Sequence, residues 1–111
     1  MNDNSNMTES AIKVSIQKAL KKAGVWELKV NPGGRMRAGV PDLICCYLGL
    51  FVAFEVKRVG GKPTKLQKYE MNKINDSGGM AFLVTSASQV LAILGSIKMD
   101  VEQASRSCIV L

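Results

Sequence analysis

The chain has 111 residues, 47% of them hydrophobic, which suits one compact domain with a modest core and excludes a disordered tail. Lys and Arg number 15 against 9 Asp and Glu, a formal net charge of +6 that favours a polyanionic partner. Histidine is absent, which excludes Ser-His-Asp and Cys-His triads and histidine-containing zinc sites; hydrolytic chemistry would have to run on carboxylates, lysine and a hard metal.

No apolar run approaches the roughly 18 residues of a membrane span. The polar start MNDNSNMTES lacks a signal-peptide pattern, so a cytoplasmic location is expected. Three cysteines, two of them adjacent (Cys45 and Cys46), give no disulfide framework and read as small buried core residues. Residues 1–7 read as a flexible tail. Thr8 suits an N-cap with Glu9 in the first turn. Ile12, Ile16, Ala19, Leu20 and Ala23 then repeat at helical spacing, so Thr8 to Ala23 reads as an amphipathic helix ended by Gly24. On residue type alone Glu9 is a surface acid that compensates the helix dipole. Val25 to Val30 suits an edge strand. The following stretch, Asn31 to Gly39, is rich in glycine and carries Arg35 and Arg37, whose forked donors fit phosphate oxygens.

Gly39 to Lys57 reads GVPDLICCYLGLFVAFEVK and predicts a buried hairpin of two short apolar strands, Leu43 to Leu48 and Leu50 to Val56. A turn centred on Leu48-Gly49 pairs Tyr47 with Leu50, Cys46 with Phe51 and Cys45 with Val52, and counting on sets Asp42 opposite Glu55. Directly opposed residues have Cβ atoms roughly 4.5–5.5 Å apart. Glu55 and Lys57 share a face. Two acids that close repel each other, and either of two arrangements relieves them: Lys57 neutralising Glu55, or a hard divalent cation held by both carboxylates. Residue types alone leave both open. The cationic loop just upstream and the basic chain favour the cation.

Gly60-Gly61-Lys62-Pro63 turns the chain into a helix from Thr64 to Ser77. Thr64-x-x-Gln67 forms its capping box, Leu66, Met71 and Ile74 point inward, and Gly78-Gly79 closes it. Met80 to Thr85 reads as a strand parallel to the hairpin. Ser86-x-x-Gln89 opens a helix through about Ile97, with Val90, Leu91 and Leu94 inward. The tail beyond could pack on the domain, and its end, Ser107 to Leu111, could add a strand or bind a partner.

The order is therefore α-β-β-β-α-β-α: a single α/β domain, a mixed central sheet flanked by helices, spanning residues 8–98 with a C-terminal tail of 99–111. With Pro41-Asp42 and Glu55-Val56-Lys57 in place, it resembles the PD-(D/E)XK nuclease superfamily, and within it the virus-type replication-repair nucleases (VRR-NUC family), over roughly Thr8 to Leu94. An Asp followed by Glu-x-Lys is common by chance; the specificity lies in the series Glu9, GGRMRAGVPD, FEVK, GGKPTKLQ and Gly78-Gly79.

The resemblance implies a PD-(D/E)XK nuclease-like fold and a metal-dependent deoxyribonuclease, an endonuclease acting on branched or structured DNA in phage or bacterial replication and repair. It implies Mg²⁺ or Mn²⁺ on Asp42, Glu55 and the Val56 carbonyl. Lys57 would position or help activate the attacking water, Glu9 would assist the site, and Gln67 would serve both site and cap. Arg35, Arg37, Lys62 and Lys65 are the candidates for contact with DNA. A homodimer and a helicase or replication-repair partner are compatible with it, in a bacterial host cytoplasm if the chain is phage-encoded; no membrane is implied. The alternative from another class is a non-catalytic nucleic-acid-binding module that keeps the fold. A restriction-type enzyme is disfavoured because the chain leaves little room for base readout.

Overall fold

Apolar residues recur every third or fourth position in three segments and every second position in others, and the structure converts these periods into helices and strands. The computed structural model describes residues 6–31 and 36–107. Its elements are α1 (Glu9–Lys22), β1 (Trp26–Lys29), β2 (Leu43–Tyr47), β3 (Leu50–Val56), α2 (Lys65–Asp76), β4 (Met80–Val84) and α3 (Ala87–Ser107), in the expected order. The strands form one sheet, β1-β2-β3-β4, antiparallel between its first three members and parallel between β3 and β4. A mixed sheet follows from the connections: a tight turn joins β2 to β3, whereas α2 carries the chain over to β4.

The β2–β3 turn sets the register. Leu48 (φ 52°) and Gly49 (φ 79°) both lie in the left-handed region, as a two-residue hairpin turn that matches strand twist requires. Tyr47 pairs with Leu50, Cys46 with Phe51 and Cys45 with Val52, as the sequence reading expects, and the ladder continues to Leu43 opposite Phe54.

Alternation then gives the sheet two unlike faces. Leu43, Cys45, Val52, Phe54, Val56 and Val84 meet Ile12, Ile16 and Leu20 of α1 and Val90, Leu94 and Ile97 of α3 in one buried cluster. Each fully buried Leu, Ile or Phe in it contributes about 1.5–3 kcal/mol by leaving water. The other face carries Ile44, Cys46, Phe51, Ala53 and Glu55, and α2 covers only part of it. Cys45 is buried as expected, but Cys46 on this second face is exposed; Cys108 lies outside the described residues.

α1 is capped by Thr8, whose Oγ1 accepts from the Ala11 amide at 3.0 Å. α2 has the full capping box: Gln67 N donates to Thr64 Oγ1 at 3.1 Å and Thr64 N donates to Gln67 Oε1 at 2.9 Å. Its inward face meets the expectation in part: Met71 and Ile74 are half-buried. Leu66 is 48% exposed, and the buried residue of α2 is the acid Glu70. At α3, Ser86 Oγ accepts from Gln89 N, but Gln89 Oε1 takes the amide of Thr85 (2.6 Å), one residue before the position a capping box uses. Val90 and Leu94 are inward, whereas Leu91 is 46% exposed.

The helix expected to stop near Ile97 instead runs to Ser107, with Val101 packed against the core. Residues 108–111, the rest of the segment considered for a further strand or a partner, lie outside the described residues. No helix among the described residues is long and apolar enough to cross a membrane.

Candidate active site

Carrying the β2–β3 ladder one step past Leu43 and Phe54 brings Asp42 beside Glu55, at the end of the sheet away from the turn. Three elements hold the two acids. Val56 N of β3 donates to Asp42 Oδ2 at 2.8 Å, which fixes the carboxylate against the strand. Lys13 of α1 donates from Nζ to Asp42 Oδ1 at 3.1 Å. Gln67 of α2 donates from Nε2 to Glu55 Oε2 at 3.2 Å, and Lys57 Nζ lies 3.7 Å from the same oxygen. Gln67 therefore spends its carbonyl on the helix cap and its amide on the acid. Glu55 is 2% exposed, and its second oxygen, Oε1, is buried with no hydrogen-bond partner.

Burial is the main reason the Glu55 carboxyl is pushed up to about 8. The nearby charge of Asp42 raises it further, and Glu9 adds to the same field, while Lys57 pulls in the opposite direction. A carboxylate with one oxygen dry and unpaired, beside a second carboxylate, is poorly stable as an anion without added positive charge.

That orphaned oxygen is the test of whether a cation fits, and it fits. Glu55 Oε1 and Asp42 Oδ1 are hard oxygen donors, and the Val56 carbonyl projects on the same side of its strand as the amide that binds Asp42. The set stops there: among the described residues no group of three or more Asp, Glu, Cys or His side chains gathers at one point. Such a site leaves most of a cation's positions to water and substrate oxygens, as Mg²⁺ sites commonly do.

Two solved structures share this architecture. One, titled "VRR_NUC domain", superposes with a TM-score of 0.67 at 24% identity, over 79% of this chain and 96% of the other. A second, "VRR_NUC domain protein", gives 0.64 at 17% identity, over 80% and 86%. This chain has the VRR_NUC fold. No protein-family model and no curated protein matches its sequence.

On this VRR_NUC fold the remaining sequence candidates are placed differently from one another. Glu9 stands exposed in the first turn of α1 and reaches Glu55 through its charge. Lys62 and Lys65 are exposed on the approach to α2 and in its first turn. Arg35 lies outside the described residues. Arg37 is engaged within the protein: Nε and Nη2 donate to Glu70 Oε2 and Oε1, each at 3.0 Å, and this pairing raises its already high pKa.

Glu70 is 7% exposed and sits three residues after Gln67, so the inward face of α2 is polar by design of its contacts. One turn earlier the backbone of Leu66 lies against Gly39, where an added Cβ would come within 2.8 Å of the Leu66 carbonyl oxygen. Gly39 also has φ 91°, so it meets two demands that only glycine satisfies together. α2 thus grips Glu55 through Gln67 and the segment leading to Asp42 through Leu66 and Glu70.

Lys13 and Glu70 are the two site contacts missed by sequence reasoning. Glu9 and Lys13 are four apart and share a helix face, which is the signal that could have placed Lys13. Glu70 had none comparable, because its partner lies 33 residues away, with the whole β2–β3 hairpin between them.

Proposed function

We propose that the chain is a divalent-metal-dependent endonuclease that hydrolyses phosphodiester bonds in DNA, with branched or structured DNA as its substrate, and that it belongs with the VRR-NUC nucleases. The observation that carries this is the buried, unpartnered Oε1 of Glu55 beside Asp42, in a site edged by lysines. A protein that only bound DNA would gain nothing from two crowded acids facing a polyanion.

Asp42, Glu55 and the Val56 carbonyl would hold Mg²⁺ or Mn²⁺. When bound there, such an ion supplies Lewis-acid stabilisation of charge on a phosphoryl oxygen and raises the acidity of water. The chain does the rest. Val56 N–H and Gln67 Nε2 keep the two carboxylates from rotating. Lys57, 13% exposed at its side chain, presents an ammonium that can donate to the attacking water or to a non-bridging phosphate oxygen. Lys62, Lys65 and the other exposed lysines of this side attract the backbone without reading bases.

One observation favours a second reading, a non-catalytic DNA-binding module: each acid already has an ammonium neighbour, Lys13 on Asp42 and Lys57 near Glu55. The two readings part in one experiment. A panel of four-way junction, flap, splayed arm, linear duplex, single strand and supercoiled plasmid is incubated with Mg²⁺, Mn²⁺ or EDTA, with Lys57→Ala alongside. Metal-dependent cuts that disappear in the variant support the nuclease. Binding without cleavage under every condition supports the module.

A further inference from the structure

Asp42 has one oxygen committed to the backbone and the other to a lysine. Oδ2 accepts from Val56 N at 2.8 Å, and Oδ1 accepts from Lys13 Nζ at 3.1 Å. The pair is not a surface accident: the two side chains are 17% and 19% exposed, and Lys13 projects from the same face of α1 as Glu9. A dication bound at Oδ1 would share that oxygen with an ammonium in a half-buried place, where like charges interact strongly. One of the two has to leave.

We propose that Lys13 is a displaceable counter-ion: it occupies Asp42 in the metal-free protein and withdraws as the divalent cation enters, so that it sets how tightly the site takes metal. The inference rests on the metal-site reading above. Lys57 is not equivalent to it. Lys57 lies by Glu55 Oε2, the oxygen also held by Gln67, and leaves Oε1 open, whereas Lys13 is bonded directly to an oxygen of the other acid, Asp42 Oδ1. The two lysines therefore divide the work: one flanks the cation's position and the other fills it in advance.

The test is Mn²⁺ binding by the full chain, followed through the free-Mn²⁺ electron paramagnetic resonance signal, with thermal melts in parallel. Lys13→Gln removes the competing charge and should bind Mn²⁺ about tenfold tighter than the wild type. Without metal it should melt lower, because Asp42 and Glu55 then face each other with less compensation, and saturating Mn²⁺ should close that gap. Lys13→Arg, which keeps the charge and is the more conservative for folding, should remain within a few-fold of wild-type affinity. Equal or weaker Mn²⁺ binding by Lys13→Gln, with wild-type binding intact, overturns the counter-ion role and leaves the metal site standing. If neither protein nor either variant binds Mn²⁺, both the site and the inference fall.

Discussion

Phe54 and Glu55 are consecutive on β3 and live in different chemistry. Phe54 points to the α1–α3 side, fully buried, its ring stacked 6.0 Å from that of Phe82. Glu55 points to the α2 side, as well hidden from water but holding an unpaired oxygen. One face of the sheet therefore supplies stability and the other spends some of it to keep a strained acid in place. Burial alone does not distinguish the two positions; what the burial surrounds does.

The largest expected effect separates the faces by activity. Glu55→Gln should cut metal-dependent cleavage roughly 1000-fold or more in a plasmid-nicking assay, since it removes an anionic donor from the proposed site. The fold should survive it. Phe54→Ala should do the reverse in kind: a loss of about 3–5 kcal/mol of stability by urea denaturation, from the cavity it leaves in the core, with the contacts among the acids unchanged.

The pH dependence sharpens the contrast. The Glu55 carboxyl is raised from 4.5 to about 8 in the folded chain, so folded protein holds this proton over a range in which unfolded protein has released it. Stability from this group is present below pH about 4.5 and is lost as pH rises through about 8. Metal-free wild type should thus melt lower at pH 8.5 than Glu55→Gln, with the gap shrinking toward pH 5. Added Mn²⁺ should narrow it at the higher pH by giving the ionised carboxylate a partner.

Smaller effects probe the grip of α2. Gln67→Ala should lower cleavage about 10- to 100-fold by freeing Glu55, and the same change removes half of the capping box, costing about 0.5–1 kcal/mol in a melt. Smallest is Arg37→Ala, which leaves Glu70 buried without its fork. A modest drop in melting temperature is expected, and it should be largely recovered in Arg37→Ala/Glu70→Gln, because the second change neutralises the stranded acid.

Local signals were legible in the sequence. Thr8 and Thr64 announce their caps, and the even-numbered turn at Leu48-Gly49 is enough to set Asp42 beside Glu55. Contacts between distant segments were not. Lys13 reaches Asp42 across 29 positions and Glu70 reaches Arg37 across 33, and neither helix pattern says which surface charge will find a partner. Leu66 and Leu91 look inward by residue type, yet both are about half exposed. α3 outran its expected end because Gly95, Lys98 and Asp100 interrupt the apolar stripe, although Val90, Leu94, Ile97 and Val101 continue the helical spacing through them.

The two-residue turn at Leu48-Gly49 has a consequence for how this chain can change length. It lies at the far end of the hairpin from the acids, a place where surface loops commonly accept insertions. Yet side chains along β3 alternate, and adding a single residue would exchange odd for even positions against β2 unless a bulge absorbed it. Glu55 would then be driven into the apolar side and Phe54 out of it. Length at this turn should therefore vary by two residues, or by one that a bulge absorbs.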